Sequence, residues 1–233
     1  MNKGNITICL CASRSIINKE NVMEVSQILN KAGYTIAIEA DLCEKAITSF
    51  SEMRKIASTT IIACYPRAVY ALFDWLDLKP AAVLDIRNNK AEILSRFGLS
   101  ESSASRDLDA DIDVLPAKPG EDAWYPLIDK ERCCACGKCY DFCLFGVYTM
   151  EKGVVEVSSP THCKNNCPAC ARVCPNKAII FPKYPKSPVN GGLAEEEPVA
   201  VNPKLVYNEA LQMRLEQRRA SVSLLKIKNK NKA

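Results

Sequence analysis

The stretch Cys133-Cys134-Ala135-Cys136-Gly137-Lys138-Cys139-Tyr140-Asp141-Phe142-Cys143 decides how the rest of the chain is read. It carries the spacing C-x2-C-x2-C-x3-C at Cys133, Cys136, Cys139 and Cys143. A second run, C-x3-C-x2-C-x3-C-P, follows at Cys163, Cys167, Cys170, Cys174 and Pro175. A C-x2-C-x2-C turn lets three thiolates converge on three corners of one iron–sulfur cubane, and here the pattern occurs nearly twice. Between the runs, Val147–Met150 and Val154–Val157 flank the polar turn Glu151-Lys152-Gly153, which predicts a hairpin. After the second run, Cys174-Pro175-Asn176-Lys177-Ala178-Ile179-Ile180 reads as a turn entering a short strand.

That ending resembles the C-P-x-x-A-I of bacterial two-cluster ferredoxins. The resemblance implies an α+β two-cluster domain in which the fourth cysteine of each run serves the other cluster. Cys133, Cys136, Cys139 and Cys174 would hold one [4Fe–4S] cluster, and Cys163, Cys167, Cys170 and Cys143 the second. The first run departs from the family at Leu144, where Pro is usual, and at Val147-Tyr148, where Ala-Ile is usual. The second run carries an extra residue between Cys163 and Cys167. None of these departures removes a ligand.

Three rival readings fit less well. Zinc prefers two ligand pairs separated by a longer loop, not four cysteines packed closely twice over. Cys163-x3-Cys167-x2-Cys170 has radical-SAM spacing, but Cys174 adds a fourth ligand and the chain lacks room for the barrel. A disulfide framework requires export, and the N-terminus lacks a signal-peptide core. Cys134 stands where ferredoxins carry an apolar residue and reads as a small packed side chain. His162 is the sole histidine, which excludes a Rieske centre; it borders the second run.

Thirteen cysteines among 233 residues are far above ordinary usage, while 48% hydrophobic and 25% charged residues are typical of a globular protein. The net charge of +4 comes mainly from the C-terminal tail and is weak support for nucleic-acid binding. No apolar run is long enough to span a bilayer. The expectation is a cytoplasmic protein with no transmembrane segment and no nucleic-acid partner, where reduced thiols can assemble clusters.

The first hundred residues alternate strand and helix patterns. Strands are expected at Ile6–Cys11, Tyr34–Ile38, Thr59–Ala63 and Ala81–Ile86, with helices over 21–32, 45–57 and 68–78. This predicts an α/β parallel-sheet domain over 1–98. Cys9, Cys11, Cys43 and Cys64 then fall beyond the carboxyl ends of the first three strands, on the edge where such sheets bind ligands. They are either a third metal site or four separate core cysteines.

Cys9-Leu10-Cys11, Leu42-Cys43 and Ala63-Cys64-Tyr65-Pro66-Arg67 match three places in the flavin-bearing subunit of heterodisulfide reductase. Its N-terminal domain carries a C-x-C after the first strand, a Cys after the second and an A-C-x-P-R near the third. Residues 5–90 resemble that domain. The resemblance implies that the four cysteines hold a further [4Fe–4S] cluster. Arg67 could donate to a cluster sulfur or pair with a partner's carboxylate, or form a surface salt bridge. In that family a flavin-binding domain follows; here no G-x-G-x-x-G follows a strand, so no flavin is expected in this chain.

Residues 99–123 read as a linker, 124–184 as the ferredoxin-like domain with Trp124–Ile128 as its first strand, and 185–203 as an extended Pro- and Gly-rich connector. Within the final segment, 204–233, a helix over 204–228 with an apolar stripe suits docking, onto its own domains or onto another protein of a complex, and ends in a basic tail. No Ser–His–Asp set, phosphate loop or catalytic carboxylate pair stands out. The leading expectation is an electron-transfer subunit of a multi-subunit oxidoreductase, partnered by a flavoprotein and a heterodisulfide-reductase-like subunit. The alternatives are an enzyme reducing a disulfide or quinone at the N-terminal cysteines, and a redox-sensing interaction module.

Overall fold

The computed structural model describes residues 3–87, 90–100 and 122–193. The first half is an α/β layer. Strands β1 (Asn5–Cys9), β2 (Thr35–Glu39), β3 (Thr60–Ala63) and β4 (Ala82–Asp85) form one sheet in the order β2-β1-β3-β4. All three pairings are parallel, with Ile6 opposite Ile36 and Thr60, and Ile8 opposite Ile38 and Ile62. Ile6, Ile8, Ile61 and Ile62 are buried, as continuous apolar strands between helical layers require.

The helices start where local hydrogen bonding allows. Helix α1 (Lys19–Lys31) begins after Asn18, whose side chain accepts the Glu20 N–H at 2.8 Å. The expected helix over 45–57 is instead two, α2 (Leu42–Thr48) and α3 (Phe50–Ala57). Asp41 caps α2 by accepting the Cys43 and Glu44 N–H groups, so helix begins before the apolar periodicity does. It ends where Ser49 leaves helical geometry at φ −150°, after Thr48 turns its hydroxyl back to the Glu44 carbonyl. Helix α4 (Pro66–Trp75) starts two residues before its expected position, because proline suits a first turn. Helix α5 (Lys90–Arg96), which buries Ile93 and Leu94, was not expected.

The second half is α+β. Strand β5 (Leu127–Ile128) pairs antiparallel with β8 (Ile179–Ile180), joining the entrance of this half to its exit. Strands β6 (Tyr148–Glu151) and β7 (Val154–Val157) form the expected hairpin. Lys152 and Gly153 both take positive φ, 49° and 79°, the geometry of a tight two-residue hairpin turn. Short helices α6 (Lys138–Phe142) and α7 (Ala169–Val173) lie within the two cysteine runs.

The halves pack into one compact unit. Trp75 donates its indole N–H to the Val157 carbonyl at 2.9 Å and lies against Tyr125, centroids 5.5 Å apart. Arg67 reaches Asp129 at 2.6 Å, the Lys177 carbonyl at 2.6 Å and the Pro188 carbonyl at 3.1 Å. It therefore forms a half-buried ion pair within its own chain. Residues 185–193, expected to be extended, fold back instead. Asn190 donates its backbone N–H to the Lys186 carbonyl, and Gly191 approaches α4 so closely that a Cβ would stand 2.7 Å from that of Ala68. Glycine removes the atom that would hold the two backbones apart. The middle of the linker, the rest of the connector and the expected helix over 204–228 lie outside the described residues. No helix among the described residues is long and apolar enough to cross a membrane.

Candidate metal centres

In the sheet order β2-β1-β3-β4 the chain runs outward in opposite directions from β1 and β3, which makes their carboxyl ends the switch point of the sheet. Cys9 closes β1, Cys11 follows it and Cys64 follows β3, so all three lie at this edge. Cys43 enters from the first turn of α2. All four are buried. The Cys9 and Cys11 sulfurs are 3.5 Å apart, and the Leu42 N–H points at the Cys9 sulfur at 3.4 Å. Cys11 takes φ 46°, a left-handed conformation that folds its thiol back toward Cys9.

The thiols interact electrostatically. The hydrogen bond between the Cys11 and Cys64 thiols lowers the pKa of Cys64 and raises that of Cys11. Burial pushes the Cys43 thiol well up, reinforced by Asp41, Cys64 and Cys9 and opposed by Lys183. Lys183 comes from the second half and is 3% exposed, its ammonium 2.8 Å from the 1% exposed Asp41 carboxylate and 3.6 Å from Asp122. Burial works against its charge, but Cys43 and Asp41 outweigh that and hold it more firmly protonated than usual. Asp41 also accepts the Ser13 hydroxyl at 2.6 Å, and the Tyr125 hydroxyl donates to the Cys43 carbonyl at 2.7 Å.

The two runs of the second half pack together: Cys139 and Cys170 lie in one buried cluster, with Cys133, Cys143, Cys163 and Cys174 against it. Cys139 is pushed up to about 11, first by burial, with Cys174 and Cys133 adding to it. Cys163 is pushed up to about 12 by burial, with Cys167 and Cys143 adding. Cys170 is also at about 12, raised by burial and by Cys163 and Cys143, and relieved by Tyr148. Cys143 thus acts electrostatically on members of the second run, and Cys174 on a member of the first. Cys136 is exposed; the Lys138 backbone N–H and a hydrogen bond from Cys134 lower its pKa. Cys134 is exposed rather than packed, which corrects the core reading of that residue. His162 ends a single 3₁₀ turn immediately before Cys163.

The loops aim donors at these sulfurs. The Ala178 N–H points at the Cys174 sulfur at 3.3 Å, and the buried Tyr148 hydroxyl donates to the Cys170 sulfur at 3.1 Å. Ala135, Asn166 and Lys177 carry positive φ within the cysteine loops, a cost that non-glycine residues bear where backbone N–H groups must turn to one side. Among the described residues, no three His, Cys, Asp or Glu side chains converge closely enough for a single metal ion. Thiols in mutual electrostatic reach, with N–H and O–H groups directed at sulfur, form a donor set that fits a group of several irons bridged by sulfide.

Sequence reasoning missed Lys183, Asp41, Tyr148 and Asp129. Lys183 could have been flagged as the one cation in the apolar run Ile179-Ile180-Phe181-Pro182-Lys183-Tyr184, and Asp41 as a helix cap ahead of Leu42-Cys43. Nothing local marks Tyr148, whose partner Cys170 is distant in sequence, and Asp129 draws its close ion-pair partner Arg67 from the other half.

No protein-family model matches the chain. It is 52% identical over 61 residues to an uncharacterized ferredoxin of Methanocaldococcus jannaschii, a match covering 26% of this chain and 42% of that ferredoxin. A second uncharacterized ferredoxin of the same organism is 39% identical over 58 residues, covering 24% of this chain and 74% of that protein. The chain thus spans less than half the length of the first relative and about three quarters of the second.

Proposed function

The chain belongs to the ferredoxins, and from that premise we propose that it is the electron-transfer subunit of a multi-subunit oxidoreductase. The ferredoxin likeness supports an iron–sulfur electron-transfer role in general. The finer reading gives one [4Fe–4S] cluster to Cys133, Cys136, Cys139 and Cys174, a second to Cys163, Cys167, Cys170 and Cys143, and a third to Cys9, Cys11, Cys43 and Cys64. The observation that supports it is the shared packing of the two runs: Cys139 and Cys170 lie in one buried cluster, with Cys133, Cys143, Cys163 and Cys174 packed against it, and Cys143 acts electrostatically on Cys163 and Cys170, as Cys174 does on Cys139. A bound [4Fe–4S] cluster takes up and releases one electron at a time.

The chain's own residues supply the rest. Tyr148 and the Ala178 N–H donate to ligand sulfurs, which favours the more negative, reduced state. Arg67 and Asp129 fix the first quartet from both ends: the Asp129 carbonyl accepts the Cys133 N–H at 3.0 Å, while Arg67 holds Lys177 beyond Cys174. Arg14 joins the halves by binding Asn166 at 2.7 Å and Asn165 at 2.9 Å, both between Cys163 and Cys167, while its own N–H bonds the Cys11 carbonyl. This places a loop of the second run against the loop after Cys11, so the quartet of Cys163 is the natural relay to the sheet edge. Burial of Cys9, Cys11, Cys43 and Cys64 favours relay there over direct attack on a substrate. The flavoprotein and heterodisulfide-reductase-like partners belong to the same proposal, as does the likeness of the α/β half to the flavin-bearing heterodisulfide reductase component.

Iron and sulfide analysis of anaerobically prepared protein, compared with Cys64→Ser, tests the assignment. The expected content is about twelve irons per chain, falling to about eight in the variant. Equal iron in both proteins would leave the four N-terminal thiols as core residues only.

A further inference from the structure

Lys183 is a buried cation carried by the ferredoxin half into the thiol-lined edge of the α/β half. Its ammonium lies 2.8 Å from Asp41, and both side chains are almost completely enclosed. Asp41 in turn receives the Cys43 N–H at 3.0 Å, so the ion pair is fastened directly to one of the four thiol-bearing loops. Asp122 lies 3.6 Å from Lys183 but is shared with Arg14, which binds it at 2.6 Å. A buried ion pair is a costly way to join two packed surfaces, since apolar side chains of similar size serve as well. Four thiolates gathered at one buried edge change that balance, because charge interactions there are screened far less than at the surface.

We infer that Lys183 is a positioning residue whose fixed positive charge offsets the negative charge gathered at Cys9, Cys11, Cys43 and Cys64 and sets how readily that site accepts an electron. The inference rests on reading those four thiols as a cluster site. The sign follows from charge alone. Reduction adds one negative charge, so removing a nearby cation disfavours it, and removing a nearby anion favours it. Lys183→Met should lower the midpoint potential of the N-terminal cluster, whereas Asp41→Asn, which keeps an oxygen to cap α2, should raise it. Lys183→Arg should restore the wild-type value.

The test is a redox titration of the anaerobic full-length protein followed by low-temperature electron paramagnetic resonance, with Cys64→Ser identifying the N-terminal signal. Opposite shifts in Lys183→Met and Asp41→Asn, with the two ferredoxin signals unmoved, support the inference. An N-terminal potential unchanged in Lys183→Met overturns it. Loss of the N-terminal signal from both Lys183→Met and Lys183→Arg also overturns it, because packing rather than charge would then be what matters. If wild-type protein gives no signal that Cys64→Ser removes, the cluster reading itself falls, and that outcome is distinct from the other two.

Discussion

At the edge of the α/β half all four thiols are buried, whereas in the ferredoxin half only Cys139 and Cys170 are. The ferredoxin half also exposes Tyr140, Phe142 and Phe145, with Leu144 91% exposed, beside its first cysteine run. The two halves therefore face different physical problems. Thiols near solvent can have their charge screened by water and can lie close to a partner protein. Thiols sealed from solvent need compensation from within the protein, and the neighbouring half brings the Lys183 ammonium to Asp41, which also receives the Cys43 N–H. Each half thus lends a charged side chain to the other's cysteine loops: Lys183 in one direction and Arg67 in the other.

The largest effect is expected at Cys143, which the proposed assignment gives to the cluster of the second run. Cys143→Ser should damage the cluster built on Cys163, Cys167 and Cys170 and spare the one of its own run. Iron content should fall by about four per chain at most. Spectra in which only the Cys133 quartet suffers would refute the crosswise arrangement. Next in size is Arg67→Met, which leaves the half-buried Asp129 carboxylate without its strongest partner. It should cost about 3 kcal/mol and lower the thermal midpoint of the anaerobic protein, with the Cys133 quartet losing iron first. An unaltered midpoint would mean that the halves are held together elsewhere.

The smallest effect is expected at Tyr148. Tyr148→Phe removes one hydrogen bond to the Cys170 sulfur and little else. It should lower the potential of that ferredoxin cluster by about 1 kcal/mol of electron affinity and leave the N-terminal signal in place. A redox titration resolving the separate signals checks both halves of that statement.

The periodic and spaced features were legible in the chain itself. Alternating apolar strands and amphipathic helices led to the parallel sheet, and Lys152-Gly153 between two β-prone segments led to the hairpin. The cysteine spacings led to the candidate sites without any knowledge of their surroundings. Boundaries set by side-chain capping were harder to see: Asp41 pulls α2 forward and thereby places Cys43 in a helical turn. The contacts between halves were not legible, because they join residues far apart in sequence. Arg67 meets Asp129, Trp75 meets Val157, and Lys183 meets Asp41, and no local pattern announces such pairs. The packed turn over 187–191 was concealed by its prolines and glycines, which read equally well as an extended connector.

The claim that these thiols hold a row of centres exchanging single electrons is tested most directly by low-temperature electron paramagnetic resonance of the anaerobic, fully reduced protein. The expected result is several overlapping cluster signals broadened by magnetic interaction between neighbours, with the broadening of the Cys163 quartet relieved in Cys64→Ser. Zinc-loaded protein with no paramagnetic signal on reduction would contradict it.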